Sequence, residues 1–146
     1  MLSIAHGLTG ALIATKVTNP FLSVPLIIAS HFLEDMVPHW DFGTGINHNQ
    51  KDKKIAFLQE LFIDLPLTAI FVYIFFPTQP LAWLGMFIGI LPDLLEAPYI
   101  FLNIRFPLLN QFFHFHSTIH HSFPKKFLGL LPQLAVILAV FLLRKS

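Results

Sequence analysis

The sequence predicts an all-α integral membrane protein, a helical bundle of about five spanning helices plus a His-rich interfacial or re-entrant helix. Three observations predict this class. Of the 146 residues, 55% are hydrophobic and only 12% are charged, whereas a soluble domain carries about 25% charged residues. The apolar residues form long runs, and runs of about 20 such residues are typical of transmembrane helices. At this length we expect one membrane-embedded helical domain over residues 1–146.

Short turns rich in Pro, Gly, Asn or Lys separate the apolar runs. The predicted spanning helices are residues 2–17, 20–37, 55–76, 81–102 and 127–143. Residues 42–54 form the clearest predicted loop, with His48 expected to be solvated, and residues 106–123 form the His-rich segment. Gly85 and Gly89 make a small-residue face on the fourth helix, which favours close packing between membrane helices.

The second predicted helix ends in an unusually polar stretch. His31 and Asp35 are four residues apart, so they lie on one face of a helix, one turn from each other. His39 and Asp41 follow just beyond Pro38, where we expect the helix to end. An imidazole and a carboxylate that converge from one helix are typical of a divalent-metal site.

Alternation of the helices places other polar residues at the same end of the bundle. The third helix begins near that end with Glu60 and Asp64, and the fourth returns to it with Asp93 and Glu96. The first helix starts there with His6. The His-rich segment follows the fourth helix directly and can fold over the same end; its candidate ligands are His116, His120 and His121.

A buried cation would compensate these acids. Each carboxylate at mid-membrane depth costs roughly 2.5–3.5 kcal/mol, so five unpaired ones would cost on the order of 10 kcal/mol. The chain has no cysteine, so any metal must be held by His nitrogen and carboxylate oxygen. We expect one or two divalent ions, with zinc favoured over manganese, iron or nickel. A net charge of +1 gives no electrostatic argument for nucleic-acid binding.

Other roles stay open for several of these residues. His31 and Asp35 would also serve as a hydrogen-bonded pair between helices, and His6 is equally well a polar residue near a helix end. Glu60 can reach the interface from the first turn of its helix, and Asp93 can satisfy backbone groups freed by Pro92. Of the clustered histidines, we expect two or three to be functional.

The chain has Ala-His-Gly-Leu-Thr-Gly at residues 5–10, Gly-Ile-Leu-Pro-Asp at 89–93 and His-Ser-Thr-Ile-His-His-Ser at 116–122. Together with the pair His31 and Asp35, these motifs resemble a bacterial family of small membrane-bound metal-dependent hydrolases. The pair His31 and Asp35 resembles the family's His-x-x-x-Asp pair, although there the pair follows the His-Ser stretch and here it precedes it. Residues 31–39 are also similar to the ligand helix of zinc-dependent phospholipases C and related nucleases.

These patterns predict a metal-dependent hydrolase in a bacterial inner membrane, acting on a phosphoester or ester of an amphipathic, lipid-like molecule. Metal ligands would come from His6, His31, Asp35, His39, Asp93, His116, His120 and His121. Glu60, Asp64 and Glu96 are the predicted catalytic carboxylates, with a general base among them. The Lys-rich stretch at 51–54 predicts that the polar site faces the cytoplasm. The alternatives are a divalent-metal transporter or metal-binding membrane protein without hydrolysis, and a structural protein with hydrogen-bonded polar groups.

Overall fold

The computed structural model of the protein describes residues 1–43 and 50–145. Within these ranges the chain is all-helical and forms no β-strand, which confirms the predicted class. A single parallel β-bridge joins His39 and Ser122. The predicted solvated residue His48 lies outside the described residues.

The described chain forms six helical rods. Their bounds are α1 (Ser3–Lys16), α2 (Pro20–Asp35), α3 (Gln50–Gln59) continuing through a π-helical turn (Glu60–Asp64) into α4 (Leu65–Phe75), α5 (Pro80–Phe101), α6 (Pro107–Ile119) and α7 (Lys126–Leu143). The π-turn precedes Pro66, which has no N–H to donate to the helix ladder. The prediction of a loop up to residue 54 is wrong at its end, because α3 already begins at Gln50.

Three of these rods, rather than five, are long and apolar enough to cross a membrane. They are Lys51–Phe75, Pro80–Phe101 and Lys126–Leu143. With 14 and 16 residues, α1 and α2 reach only about 21 and 24 Å at 1.5 Å per residue. A hydrocarbon core is about 30 Å thick. The predicted count of five spans is therefore not supported, and α6 is shorter still, with 13 residues.

The first helix lies at the centre of the bundle. It contacts α2, α4, α5 and α7, and most of its residues are buried. Its closest partner is α5, where a Cβ on Gly10 would collide with the carbonyl of Gly85 and a Cβ on Gly89 would collide with the carbonyl of His6. Because protein covers α1 on most sides, its length need not match the bilayer.

Candidate metal centre

Backbone hydrogen bonds fasten the segment after α6 to the end of α2. The N–H of His121 donates to the carbonyl of Asp35 at 2.9 Å, and the N–H of His39 donates to the carbonyl of His121 at 3.1 Å. The N–H of Phe123 then donates to the carbonyl of His39 at 2.6 Å. This short ladder brings residues 35–39 and 120–123 side by side, although more than 80 residues separate them.

The carboxylate of Asp35 is the common point of the site. It is fully buried, and its two oxygens face different histidines. Asp35 Oδ2 lies 2.7 Å from His116 Nε2 and 3.3 Å from His31 Nε2. Asp35 Oδ1 lies 3.7 Å from His39 Nε2 and 4.0 Å from His120 Nε2. Two sets of donors therefore meet at a single carboxylate.

The first donor group consists of His31, Asp35, Asp93 and His116, whose ligand atoms lie within 4.8 Å of one another. The Nε2 atoms of His31 and His116 are 3.4 Å apart. Asp93 Oδ1 lies 3.6 Å from His31 Nε2. The helices α2, α5 and α6 each contribute to this group, so it depends on the tertiary fold.

The second donor group consists of Asp35, His39 and His120, whose ligand atoms also lie within 4.8 Å of one another. The Nε2 atoms of His39 and His120 are 3.0 Å apart. Neither histidine lies within a helix, and the backbone ladder sets their separation.

A fifth imidazole borders both groups. His6 Nε2 lies 3.2 Å from Asp35 Oδ1 and 4.0 Å from Asp93 Oδ2. Its ring centroid is 3.9 Å from that of His31. The nitrogen of Met1 contacts both His6 Nε2, at 2.8 Å, and Asp35 Oδ1. The close approach of α1 to α5 at Gly89 brings His6 to this position.

The outer nitrogen of each clustered histidine has its own partner. The Nδ1 of His31 lies 2.8 Å from the carbonyl of Gly89, and the Nδ1 of His39 lies 2.7 Å from the carbonyl of Val37. The Nδ1 of His6 lies 2.7 Å from Glu34 Oε2, and the Nδ1 of His116 lies 3.0 Å from Glu96 Oε1. The Nδ1 of His120 lies 3.3 Å from Ser122 Oγ. Such partners fix ring orientation and tautomer around metals in proteins.

These outer contacts determine what the inner nitrogens can do. A backbone carbonyl only accepts, so Nδ1 carries the hydrogen in both His31 and His39. When these rings are neutral, each Nε2 directs a lone pair towards the cluster, where another imidazole nitrogen and the Asp35 carboxylate also lie. A proton or a metal ion is required among such acceptors, since facing lone pairs repel.

The two histidines of the segment around α6 differ in protonation. Burial by itself disfavours the charged form of His116, but its contacts with Asp35 and Glu96 raise the pKa of His116 to about 10. Burial lowers the pKa of His120 to about 4. At neutral pH His120 is therefore already in the form that binds a metal, whereas a metal must displace a proton from His116.

The predicted catalytic carboxylates lie around the cluster and belong to neither donor group. Asp64 accepts the N–H of Ser3 at 2.7 Å and of Ile4 at 3.2 Å, and Glu60 accepts the hydroxyl of Ser3 at 2.5 Å. Both therefore hold the start of α1. Glu96 contacts the outer nitrogen of His116.

The structure brings together seven of the eight predicted metal ligands and leaves His121 apart. The His121 side chain is exposed, and its Nδ1 lies 2.6 Å from the carbonyl of Ile119. Its backbone takes part in the ladder instead.

Sequence reasoning assigned no role to two carboxylates that border the site. Asp41 Oδ2 lies 3.4 Å from both His39 Nε2 and His120 Nε2. Glu34 contacts His6 and accepts the hydroxyl of Thr9 at 2.5 Å. The sequence offered one signal for both: Glu34 directly precedes Asp35, and Asp41 lies two residues after His39.

No family model matches the chain, and neither the curated proteins nor the solved structures include a match. The site must therefore be interpreted from its own geometry.

Proposed function

We propose that this chain is an integral membrane metal-dependent hydrolase that acts on a phosphoester or ester of a lipid-like substrate. The observation that carries the proposal is the convergence of imidazole Nε2 atoms on Asp35 while their Nδ1 atoms are held from outside. A cluster that served only hydrogen bonding between helices would have no need to gather so many imidazole rings around one carboxylate.

The first donor group fits a small divalent ion. Zinc binds His nitrogen and carboxylate oxygen at about 2.0–2.2 Å, so tetrahedral donors stand about 3.3 Å apart. In the group of His31, Asp35, Asp93 and His116, the separations among His31, Asp35 and His116 and between His31 and Asp93 run from 2.7 to 3.6 Å, and all four ligand atoms lie within 4.8 Å of one another. An ion held there would lower the pKa of a water bound to it to about 7 and would polarise a phosphoryl or carbonyl oxygen.

Two of the donor side chains are partly exposed to solvent. The side chain of Asp93 is 33% exposed and that of His120 is 25% exposed, whereas His6, His31 and Asp35 are sealed in the bundle. Glu96 and the carbonyl of Gly89 orient the rings of His116 and His31 from behind. A buried set of ligands with one open side is the arrangement expected of a catalytic rather than a structural metal site.

An apolar groove beside α1 and α2 supports an amphipathic substrate. Its volume is about 370 Å³. The groove is lined by Leu12, Ile13, Lys16, Val17, Leu26, Ala29, Ser30 and Leu33. Ser30 and Leu33 lie within one turn of His31 on α2, so the groove runs along the same part of α2 as the cluster and would suit an acyl chain.

The positions of the basic residues support a site on the cytoplasmic side of a bacterial inner membrane. Lys51, Lys53 and Lys54 lie at the start of the first candidate span, and Lys125 and Lys126 lie at the start of the last. Both starts are at the metal end of the bundle, because Asp64 contacts α1 there and the N–H of Trp40 donates to Gly129 at 3.0 Å. Basic residues concentrate on the cytoplasmic side of membrane proteins.

A divalent-metal transporter is the alternative, since buried His and acidic residues also line ion pathways. Transporter sites lie near the membrane midplane, between helices that open to each side in turn. Here the donors come from the start of α1, the end of α2, the second half of α5 and the end of α6. They are gathered in one half of the bundle rather than spread along it, which favours hydrolysis.

The test compares hydrolysis with metal transport for the same purified protein. Detergent-solubilised chain, stripped of metal and reloaded with zinc or manganese, would be incubated with bis(p-nitrophenyl) phosphate, p-nitrophenyl acyl esters and short-chain phospholipids. Proteoliposomes containing an internal zinc dye would report transport. The variants are His31→Gln and Asp93→Asn, and His114→Gln is the matched control, because the His114 side chain is exposed on the same helix as His116.

We expect metal-dependent hydrolysis by the wild type and the His114→Gln control, and its loss in both other variants. Zinc entry into the liposomes without hydrolysis of any substrate would establish the transporter instead. Absence of bound metal from folded wild-type protein would refute both functions and leave the cluster as hydrogen bonding between helices.

A further inference from the structure

We propose that the centre holds two ions rather than one, with Asp41 as a ligand of the second ion and Asp35 as the bridge between them. This inference rests on the metal centre of the proposed function and extends it. It is carried by the positions of Asp41, His39 and His120 relative to the two oxygens of Asp35.

Asp41 completes a four-donor set. With Asp35 and the two histidines alone, the second group has three donors. Asp41 Oδ2 stands 3.4 Å from each histidine nitrogen. The distances from the two histidine nitrogens to each other and to the two carboxylates run from 3.0 to 4.0 Å, close to the spacing of about 3.3 Å expected between tetrahedral ligands of zinc.

Asp35 has the geometry of a bridging carboxylate. Its Oδ2 faces the histidines of the first group. Its Oδ1 faces those of the second at 3.7 and 4.0 Å and also contacts His6 and the nitrogen of Met1, whose place an ion on Oδ1 would take. One ion on each oxygen would leave the ions at the separation of about 3.5–4 Å that is common in two-metal hydrolytic sites. Three carboxylates, from Asp35, Asp41 and Asp93, would then balance most of the charge of two divalent ions.

The two halves of the centre are built by different means. The first group comes from the rigid helices α2, α5 and α6. The second is set by the backbone ladder beyond the end of α2, and Trp40, beside Asp41, donates its N–H to Gly129 at the start of α7. The second ion should therefore bind independently of Asp93 and be removable without loss of the first.

A two-ion centre narrows the substrate class. Paired ions about 4 Å apart stabilise both the attacking and the leaving oxygen of an in-line displacement at phosphorus. Of the two substrate classes in the proposed function, we therefore infer a phosphoester, and a carboxylic ester should be a poor substrate.

The experiment uses manganese as the probe, because two Mn(II) ions that share a carboxylate give an exchange-coupled EPR spectrum distinct from that of an isolated ion. Purified full-length protein would be titrated with Mn(II), and the bound ions would be counted by elemental analysis. The variants are Asp41→Asn, which retains the side-chain size, and His120→Gln, which removes another donor of the same group. Asp93→Asn removes a donor of the first group, and His114→Gln is the control.

We expect two ions and a coupled spectrum for the wild type and for His114→Gln. Asp41→Asn and His120→Gln should bind one ion, give an uncoupled spectrum and lower phosphodiester turnover at least tenfold. Asp41→Glu should restore the second ion in part. If Asp41→Asn does not fold, His120→Gln gives the same information, since its side chain is a quarter exposed.

Two results would overturn the inference. One is a single ion in the wild type at saturating Mn(II); the other is two ions with unchanged affinity in Asp41→Asn. A single ion with retained hydrolysis would reject the second site and leave the proposed function standing. Two coupled ions without hydrolysis of any substrate would support the second site and reject the proposed function.

Discussion

Asp35 and Asp64 are two buried aspartates with the same sequence signature but different surroundings. Each follows a polar residue four positions earlier, His31 and Glu60 respectively, and each is almost fully buried. Asp64 accepts two backbone N–H groups from the start of α1. Asp35 instead faces imidazole nitrogens from several segments and the nitrogen of Met1. The four-residue helical spacing therefore identifies the buried acids. Only the groups that contact each acid distinguish a structural role from metal binding.

The largest effect that tests this comparison is expected from Asp35→Asn. The amide has one acceptor oxygen and no charge, so it cannot bridge the two donor groups. We predict loss of all tightly bound metal and of all hydrolysis, with the helical content unchanged by circular dichroism. Retention of one equivalent of zinc in elemental analysis would show that the donor groups do not share Asp35.

Removing the metal should destabilise the wild type and leave Asp35→Asn unaffected. A ligand that binds only the folded chain stabilises it by about 2.7 kcal/mol at a free concentration 100 times its dissociation constant. We expect a chelator to lower the thermal midpoint of the detergent-solubilised wild type and added zinc to restore it. A similar response of Asp35→Asn would place the stabilising metal elsewhere.

Asp64→Asn should give the opposite result, with lower stability and unchanged metal content. Its amide can replace only one of the two oxygens that accept N–H groups of α1. A buried N–H left without an acceptor costs about 1–3 kcal/mol. Thermal unfolding with and without zinc would measure this loss, and Glu60→Gln is the matched variant, because the Gln amide oxygen can still accept the Ser3 hydroxyl. Loss of metal from folded Asp64→Asn protein would make Asp64 part of the centre.

The smallest effect concerns pH at the first donor group. The pKa of His116 is raised to about 10, so its protonated form is favoured below that pH and is lost as the pH rises through it. An ion must displace this proton, and its apparent affinity should therefore fall by about tenfold per unit of decreasing pH near neutrality. Calorimetry in buffers of different ionisation enthalpy would count the released proton. A pH-independent affinity would exclude His116 as a ligand.

The sequence predicted the helical class and the gathering of polar groups at one end, because apolar runs and antiparallel alternation determine both. It overestimated the spans, since α1 and α2, with 14 and 16 residues, are too short to cross a membrane. His31 and Asp35 are four apart within α2, and their spacing correctly indicated that they face one another. The position of Asp41 was not, because it depends on pairing between residues 39 and 122.

The backbone ladder and the shared carboxylate also bear on how the chain assembles. The histidines that face each other across the centre lie 85 and 81 positions apart, in a chain without cysteine. An ion between them would act as a reversible cross-link, and closing a loop of nearly this length with a disulfide is worth about 4–5 kcal/mol. Leu109 and His116 are the buried residues of α6, so an ion would add to the few buried contacts of this helix. Because His116 and His120 are synthesised after the other ligands, an ion could be captured only after α6 has been made.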